Sequence, residues 1–188
     1  MTTKYNILIT GVAGFLGSHL SEKLLDLGHK VVGVDNMIGG YEDNIHKDIE
    51  FHNLDCSDFS KVKKIMKNID IVYHCAATAH EGLSVFSPYE ITKNNYLASV
   101  SIFSAAVNEK VKRIIFCSSM ARYGDQQTPF TEDMIPKPVD PYGISKVAAE
   151  DVLKNLCDLN NIEWVIAVPH NIIAVSYTHL TLPTSSWV

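Results

Sequence analysis

Tyr142 and Lys146 stand four residues apart in Y-G-I-S-K, the spacing that puts two side chains on one helix face a turn apart. A phenol, with an ordinary pKa of about 10, is a poor base at neutral pH. An ammonium one turn away stabilises phenolate, and a cationic cofactor ring would lower the pKa further. Taken alone, such a pair is as readily a solvated helix face. Ser119, just past an apolar run, adds a hydroxyl that could hold a substrate oxygen against Tyr142. Together the three could take a hydroxyl proton while hydride leaves the carbon that bears it.

Hydride needs an acceptor, and the amino-terminal stretch has the form of a holder for one. The apolar run Tyr5 to Ile9 feeds into Gly11, Gly14 and Gly17, after which an amphipathic run carries Ser18, Leu20, Leu24 and Leu25. The reading is a strand, a tight glycine turn and a helix. A helix start leaves its first N–H groups outside its own ladder, which favours an anion such as a dinucleotide pyrophosphate. Gly11 takes the tight turn, Gly14 lets a ligand approach the backbone, and Gly17 lets helix and strand pack closely. The spacing G-x-x-G-x-x-G alone could mark only a loop. A second apolar run, Lys30 to Val34, ends at Asp35, eighteen residues past Gly17. A carboxylate there accepts both hydroxyls of an adenosine ribose and repels a 2′-phosphate, favouring NAD over NADP. The alternative is that Asp35 only starts a turn with Asn36.

With 188 residues, 46% apolar and 20% charged, the chain suits one globular domain with a sizeable core. A formal net charge of −5 offers no basic surface for nucleic acid or an anionic membrane. No run reaches the roughly eighteen apolar residues of a membrane span, and no basic-then-apolar leader opens the chain, so a soluble cytoplasmic protein is expected. Cys56, Cys75, Cys117 and Cys157 are widely spaced, lack a C-x-x-C pair and read as small core residues. The eight histidines show no ligand spacing, and no metal is expected.

Strands and helices alternate along the rest. After a polar loop from Asn36 to Asp48, which would border the adenosine, a strand from Ile49 to Leu54 ends at Asp55. Asp55 either meets the adenine amino group or serves as a cap or turn residue, with Ser57 or Asp58 capping a helix from about Phe59 to Lys67. A strand from Ile69 to His74 runs into Cys75, Ala76, Ala77 and Thr78. Small side chains there let a ligand lie on the backbone, or simply pack under the next helix. His80 to Tyr89 reads as a loop at the mouth of the site, with His80, Glu81 and Ser84 as candidate substrate contacts. Glu90 to Asn108 reads as one long helix in which Asn94 and Asn95 are poor formers, one of them held by a water or a side chain. Val111 to Cys117 is the fifth strand, and Asp125 to Asp140, with three prolines, crosses the sheet as a loop. A helix follows from Tyr142 to about Leu159, with Pro141 at its first turn, then a sixth strand from Asn161 to Val168. The pattern gives an α/β, Rossmann-type doubly wound parallel sheet covered by helices on both faces.

Seven short pieces carry a resemblance: G-V-A-G-F-L-G at 11–17, D-N at 35–36, H-C-A-A at 74–77, K-N-N at 93–95, C-S-S-M-A-R-Y-G at 117–124, P-Y-G-I-S-K at 141–146 and P-H-N at 169–171. On these, residues 4 to about 174 resemble the extended short-chain dehydrogenases/reductases of the NAD-dependent nucleotide-sugar epimerase and dehydratase group. The resemblance implies Ser119 as the substrate-binding hydroxyl, Tyr142 as the base, Lys146 as its partner and Asn95 as a structural-catalytic amide. It implies cofactor contacts at Gly11, Ala13, Gly14, Phe15, Leu16, Gly17, Asp35, Asn36, Asp55, Cys56, Ala76, Ala77, Thr78, Asn95, Ser118, Tyr142, Lys146 and Pro169. Substrate contacts would be His80, Ser119, Met120, Tyr142 and Asn171, the last near the sugar-nucleotide phosphates. The implied reaction oxidises a UDP-sugar's C4 hydroxyl to a transient ketone and returns hydride to the opposite face, in a homodimeric full-length enzyme. Dehydratases of the group call for an acid/base pair just after the serine, where this chain has Met120 and Ala121. A reductase or a decarboxylase stays open.

The family's pattern breaks at the carboxyl end. Members carry an arginine before P-H-N and continue with glycine and proline into a substrate domain, whereas this chain has Val168, then Ile172, Ile173 and Ala174. The expected organisation is an NAD-binding domain at 1–174, truncated before the substrate domain, and a tail at 175–188 that resembles translated adapter read-through and would be disordered. Such a chain is expected to have a sixth strand without a partner and to aggregate readily. It is also expected to bind NAD weakly and turn over little.

Overall fold

Parallel strands are buried on both faces, so they are written as nearly continuous runs of branched apolar residues. The computed structural model describes residues 3–172. In it β1 (Asn6–Thr10), β2 (Lys30–Asp35), β3 (Glu50–Asn53), β4 (Ile71–His74), β5 (Arg113–Cys117) and β6 (Glu163–Ala167) form one sheet. The order is β3-β2-β1-β4-β5-β6, with every neighbouring pair parallel, which is the expected doubly wound arrangement. Leu8 sits between Val32 and Val72 in register. It joins the core on one face, and Ile7 and Ile9 join the core on the other, as strand alternation requires.

The helices are α1 (Phe15–Asp26), α2 (Phe59–Ile65), α3 (Pro88–Ile91), α4 (Ala98–Asn108) and α5 (Pro141–Asn160). They divide unequally between the faces. Val62 and Met66 at α2, Ile102 and Phe103 from α4 and Leu153 from α5 close over Leu8, Ile114 and Phe116, while α1 supplies Leu24 to the other side. Helix ends are set by local chemistry. Asp58, not Ser57, caps α2 by accepting the Lys61 N–H. Asp140 caps α5 by accepting the Gly143 N–H at 2.9 Å, with Pro141 in the first turn. Asn161, left-handed at φ 55°, ends α5.

Two expectations need correction. The single helix from Glu90 to Asn108 is instead α3, a π-helical segment Thr92–Leu97 and α4. The sixth strand has a partner, since β6 pairs along its length with β5 from Arg113↔Glu163 to Cys117↔Ala167. Trp164 and Ile166 turn to the helix-covered core, and Val165, on the other face, is 46% exposed. The expected boundary at Ala174 and the tail at 175–188 lie outside the described residues. Among the described residues no helix is long and apolar enough to cross a membrane.

The joint between β1 and α1 leaves no room for a side chain. Gly11 has φ +72°, and a Cβ there would come within 2.9 Å of the Ala76 nitrogen. A Cβ on Gly17 would lie 2.1 Å from the Gly11 carbonyl oxygen. Gly17→Ala should therefore force α1 off β1 and lower the unfolding free energy by about 2–3 kcal/mol in urea denaturation. A loss under about 0.5 kcal/mol would show that α1 moves freely instead.

Candidate functional site

The strand order reverses between β1 and β4, and a crevice opens at the carboxyl ends of the strands on either side of that point. It holds a cavity of about 380 Å³ lined by the turn from Gly11 to Gly17, the ends of β2 and β3, the segment after β4 and the start of α4. The first turn of α1 faces it, and Gly14, the residue before that helix, contributes no side-chain cap. Helix N–H groups beyond the reach of the helix's own ladder suit a diphosphate. Asp35 lies on the same wall, nearly buried. One of its oxygens accepts the Ala13 N–H at 3.0 Å and the other the Met37 N–H at 2.8 Å. A carboxylate has about four acceptor positions, so two stay available for ribose hydroxyls. Asp35 thus does start a turn, and that turn presents it to the cavity.

Asp55 serves the turn after β3 and also faces the cavity. It lines the cavity, accepts the Ser57 N–H at 2.8 Å and pairs with Lys93 at 3.2 Å. Burial works to raise its pKa, but the bonds from Ser57 and Lys93 outweigh that and hold it below the ordinary aspartate value. Cys56 beside it is buried, and that burial, with Asp55 and Asp35 adding, pushes its thiol up to about 12.

The chemistry-bearing residues sit at the next strand ends. Gly143 brings α5 directly onto the turn after β5, for a Cβ there would lie 2.8 Å from the Ala121 carbonyl oxygen. Tyr142 packs with Ile91 and Ala121. Lys146, 3% exposed, donates to the Cys117 carbonyl at 2.7 Å. Its Nζ lies 4.9 Å from the Phe116 ring centre and 5.9 Å from that of Tyr142, so the expected common helix face is real. The expected electrostatics differ. Burial, with Glu81 and Asp140 adding, pushes the Tyr142 phenol above its ordinary value, against a hydrogen bond with Ser119 that lowers it. Burial likewise brings the Lys146 ammonium down to about 8. A lysine this poorly solvated, held on a carbonyl, does not by itself acidify its neighbour.

Asn95 reaches the site through the π-helical turn, a local widening common at functional positions. It is 1% exposed, accepts the Thr78 N–H at 2.7 Å and donates to the Thr78 carbonyl at 3.3 Å. Asn94 donates to the Thr78 hydroxyl at 3.1 Å. Both amides are therefore held by side chain or backbone, not one. Behind them lies a chain of bonds around His74, a residue sequence reasoning placed only at a strand end. Its Nε2 lies 2.9 Å from Ser99 Oγ, which donates to the Asn95 carbonyl, and its Nδ1 lies 2.7 Å from Thr10 Oγ1, which accepts the Ala76 N–H. These bonds all point one way if the proton is on Nε2, and burial, with Lys146 adding, depresses the ring's pKa to about 3.

The cavity gathers Gly11, Gly14, Phe15, Leu16, Gly17, Asp35, Asn36, Asp55, Cys56, Ala76, Ala77, Thr78 and His80 of the expected contacts. Ala13 stands behind its wall on Asp35 and Asn44. Ser118, Ser119, Met120, Tyr142, Lys146 and Pro169 form the adjoining group at the ends of β5 and β6, where the Met120 N–H donates to the Pro169 carbonyl. Asn171 is exposed beyond β6. Ser84 is a correction: its hydroxyl donates to Asp140 at 3.3 Å, tying the mouth segment to α5 instead of facing a substrate. Not named singly as contacts were Ile38, Gly39 and Gly40, which belong to the loop expected to border the adenosine, and Leu54, Ala79 and Ala98 on the cavity wall. The glycine pair after Asp35 was the available signal for the first three.

The sequence profile of the NAD dependent epimerase/dehydratase family matches residues 7–185. A UDP-glucose 4-epimerase from Bacillus subtilis is 33% identical over 172 residues, covering 86% of this chain and 50% of that protein. The crystal structure of UDP-glucose 4-epimerase with UDP-glucose from Thermotoga maritima is 32% identical, with a TM-score of 0.82 over 86% of this chain and 54% of that one. The UDP-glucose 4-epimerase from Brucella ovis in complex with NAD is 30% identical, with a TM-score of 0.84 over 89% of this chain and 52% of that one. The chain spans about half the length of the curated relatives it matches.

The state of Lys146 has a measurable consequence. Its folded pKa of about 8 lies below the 10.5 of an exposed lysine, so the unfolded chain binds more protons between those values and stability rises with pH across them. The burial cost is fully present below about 8 and gone above about 10.5. Lys146→Met should thus be more stable than the parent at pH 7, by on the order of 2 kcal/mol. Denaturant titrations from pH 7 to 10 should show that advantage shrinking.

Proposed function

We propose that this chain, which belongs to the NAD dependent epimerase/dehydratase family, forms the dinucleotide-binding half of an NAD-dependent nucleotide-sugar 4-epimerase acting on a UDP-sugar. The observation that carries the reading is the junction of two groups: a glycine-turn cavity with Asp35 on its wall, and Tyr142, Ser119 and Lys146 at the adjoining strand ends. The cavity residues fit NAD. Side chains at Gly11 and Gly17 would collide with backbone, while Asp35 suits a ribose that bears two free hydroxyls. Gly11, Gly14 and the first turn of α1 would hold the diphosphate, Asp35 the adenosine ribose, and Lys146 the nicotinamide ribose.

Bound there, NAD would supply the reversible hydride acceptance that takes a sugar C4 hydroxyl to a transient ketone and back, and, when oxidised, a positive charge. Tyr142 Oη would take the hydroxyl proton and later return it. Ser119, hydrogen-bonded with Tyr142, would hold the substrate oxygen in line. Burial keeps the phenol protonated in the structure described, so a cation next to it is what would turn it into a base. Met120 and Ala121 occupy the positions after Ser119 and have no proton to give, which disfavours dehydration. The reading extends to galactose metabolism, a cytoplasmic setting and a homodimeric assembly.

In the intact parental enzyme Tyr142→Phe should cut turnover by about 10²–10⁴-fold, far more than it weakens NAD binding in a titration. Asp35→Ala should weaken NAD binding at least about tenfold and erode discrimination against NADP. Incubating the intact parental enzyme with UDP-glucose and no added cofactor should yield UDP-galactose. Net accumulation of NADH would replace the epimerase reading with that of a dehydrogenase.

A further inference from the structure

Two of the four cysteines are not core residues. All four are free thiols, Cys56 and Cys157 buried and Cys75 and Cys117 half-buried. β4 and β5 are neighbours, and their last register pair is His74 opposite Phe116. Cys75 and Cys117 stand one residue further, on the same face, with Sγ atoms 3.9 Å apart. Cys75 also lines the cavity, so a small molecule that enters the cavity meets Cys75, with the Cys117 sulfur next to it. Neighbouring strands run about 4.7–4.9 Å apart, inside the Cα separation of about 4.4–6.8 Å that a disulfide accepts. Strand spacing of that order is compatible with a bond between the two sulfurs, which already touch.

We propose that Cys75 and Cys117 are an oxidation site, which a peroxide converts into a disulfide joining the ends of β4 and β5 at the cavity wall. The two thiols have different roles. Its hydrogen bond with Cys75, with the Lys146 ammonium adding and burial opposing, brings Cys117 down to about 7. Cys75 is pushed well above its ordinary value, first by that same bond and then by burial. Cys117 is accordingly the nucleophile at neutral pH and Cys75 the resolving thiol. The Cys117 thiolate attacks one peroxide oxygen; the O–O bond breaks, and hydroxide leaves with the electron pair and is protonated to water. The sulfenic acid left on Cys117 is then attacked by the Cys75 sulfur. The S–O bond breaks, and the departing hydroxide takes the Cys75 proton as a second water. Overall two thiols lose two electrons and two protons, and one peroxide becomes two waters. The product replaces the thiolate beside Lys146 by a neutral disulfide and staples two strands at the chemical end of the sheet. None of this depends on what the cavity binds.

The test uses the chain as it stands. Treatment with near-stoichiometric hydrogen peroxide, alkylation of remaining thiols and tryptic digestion without reductant should link the peptide at 68–93, which holds Cys75, to that at 114–122, which holds Cys117. The link should vanish on reduction and form at least about tenfold faster than any oxidation of Cys56 or Cys157. In Cys75→Ser, Cys117 should be trapped as sulfenic or sulfinic acid with no link. Should Cys75 and Cys117 in the unsubstituted chain stay alkylatable, or oxidise singly to sulfinic acid, the proposal fails whatever the variant does.

Discussion

The contact between the Gly17 backbone and the Gly11 carbonyl is the constraint on which the rest of this structure hangs. With no Cβ on either residue, α1 begins directly over the end of β1, and Gly11 rests against the backbone at Ala76. That single approach fixes two separations, helix to strand and β1 to β4. The second matters because β1 and β4 are where the strand order turns outward in both directions. A crevice bounded by backbone lets a ligand touch main-chain donors without intervening side chains. Asp35 enters the same joint by accepting the Ala13 N–H, so the carboxylate that faces the cavity also braces the turn that shapes it.

A second set of bonds holds the far wall. Thr10, His74, Ser99 and Asn95 bring β1, β4, α4 and the π-helical turn together in one directional chain, which continues through Asn95 to the backbone of Thr78. Each is a buried polar group with a partner, the condition for polar atoms to sit in a core without large cost. A neutral imidazole is essential to it, because a second ring proton would face a hydroxyl whose own proton already points inward. Burial of the ring supplies that neutrality. The loop that lines the cavity after β4 is thus fixed from beneath by this chain of bonds.

Much of this was legible in the chain and some was not, for physical reasons. Glycine spacing, the apolar runs and Asp35 are local signals, and each landed where it was expected. The Tyr142 and Lys146 pair was equally local, since helical periodicity alone decides a shared face. The π-helical turn was not, because one extra residue in a turn leaves the apolar pattern almost intact while it rotates Asn95 inward. The Cys75 and Cys117 pair depends on which strands are neighbours and in what register, a fact no spacing contains. The phenol's raised pKa depends on burial by Ile91 and Ala121, distant in sequence, and so the local rule for an ammonium one turn away gave the wrong sign.

Those buried charges explain how α5 can carry reactive groups and still be a stable core helix. Glu150, one turn beyond Lys146, is wholly buried but compensated: Ser118 donates to it and Arg122 pairs with it at 3.1 Å. A buried carboxylate with partners of that kind locks its surroundings, here the turn of Ser118 to Arg122 against α5. Lys146 is treated differently. An ammonium has three donors, and among the described residues it has one acceptor, the Cys117 carbonyl, with two aromatic rings beside it. Aromatic faces return only part of what water provided, which is why the ammonium's pKa falls. The same helix therefore holds a carboxylate with a hydroxyl and a guanidinium against it, and an ammonium with a single carbonyl. The carboxylate ties the turn after β5 to α5, and the ammonium keeps donors for whatever occupies the space beside Tyr142.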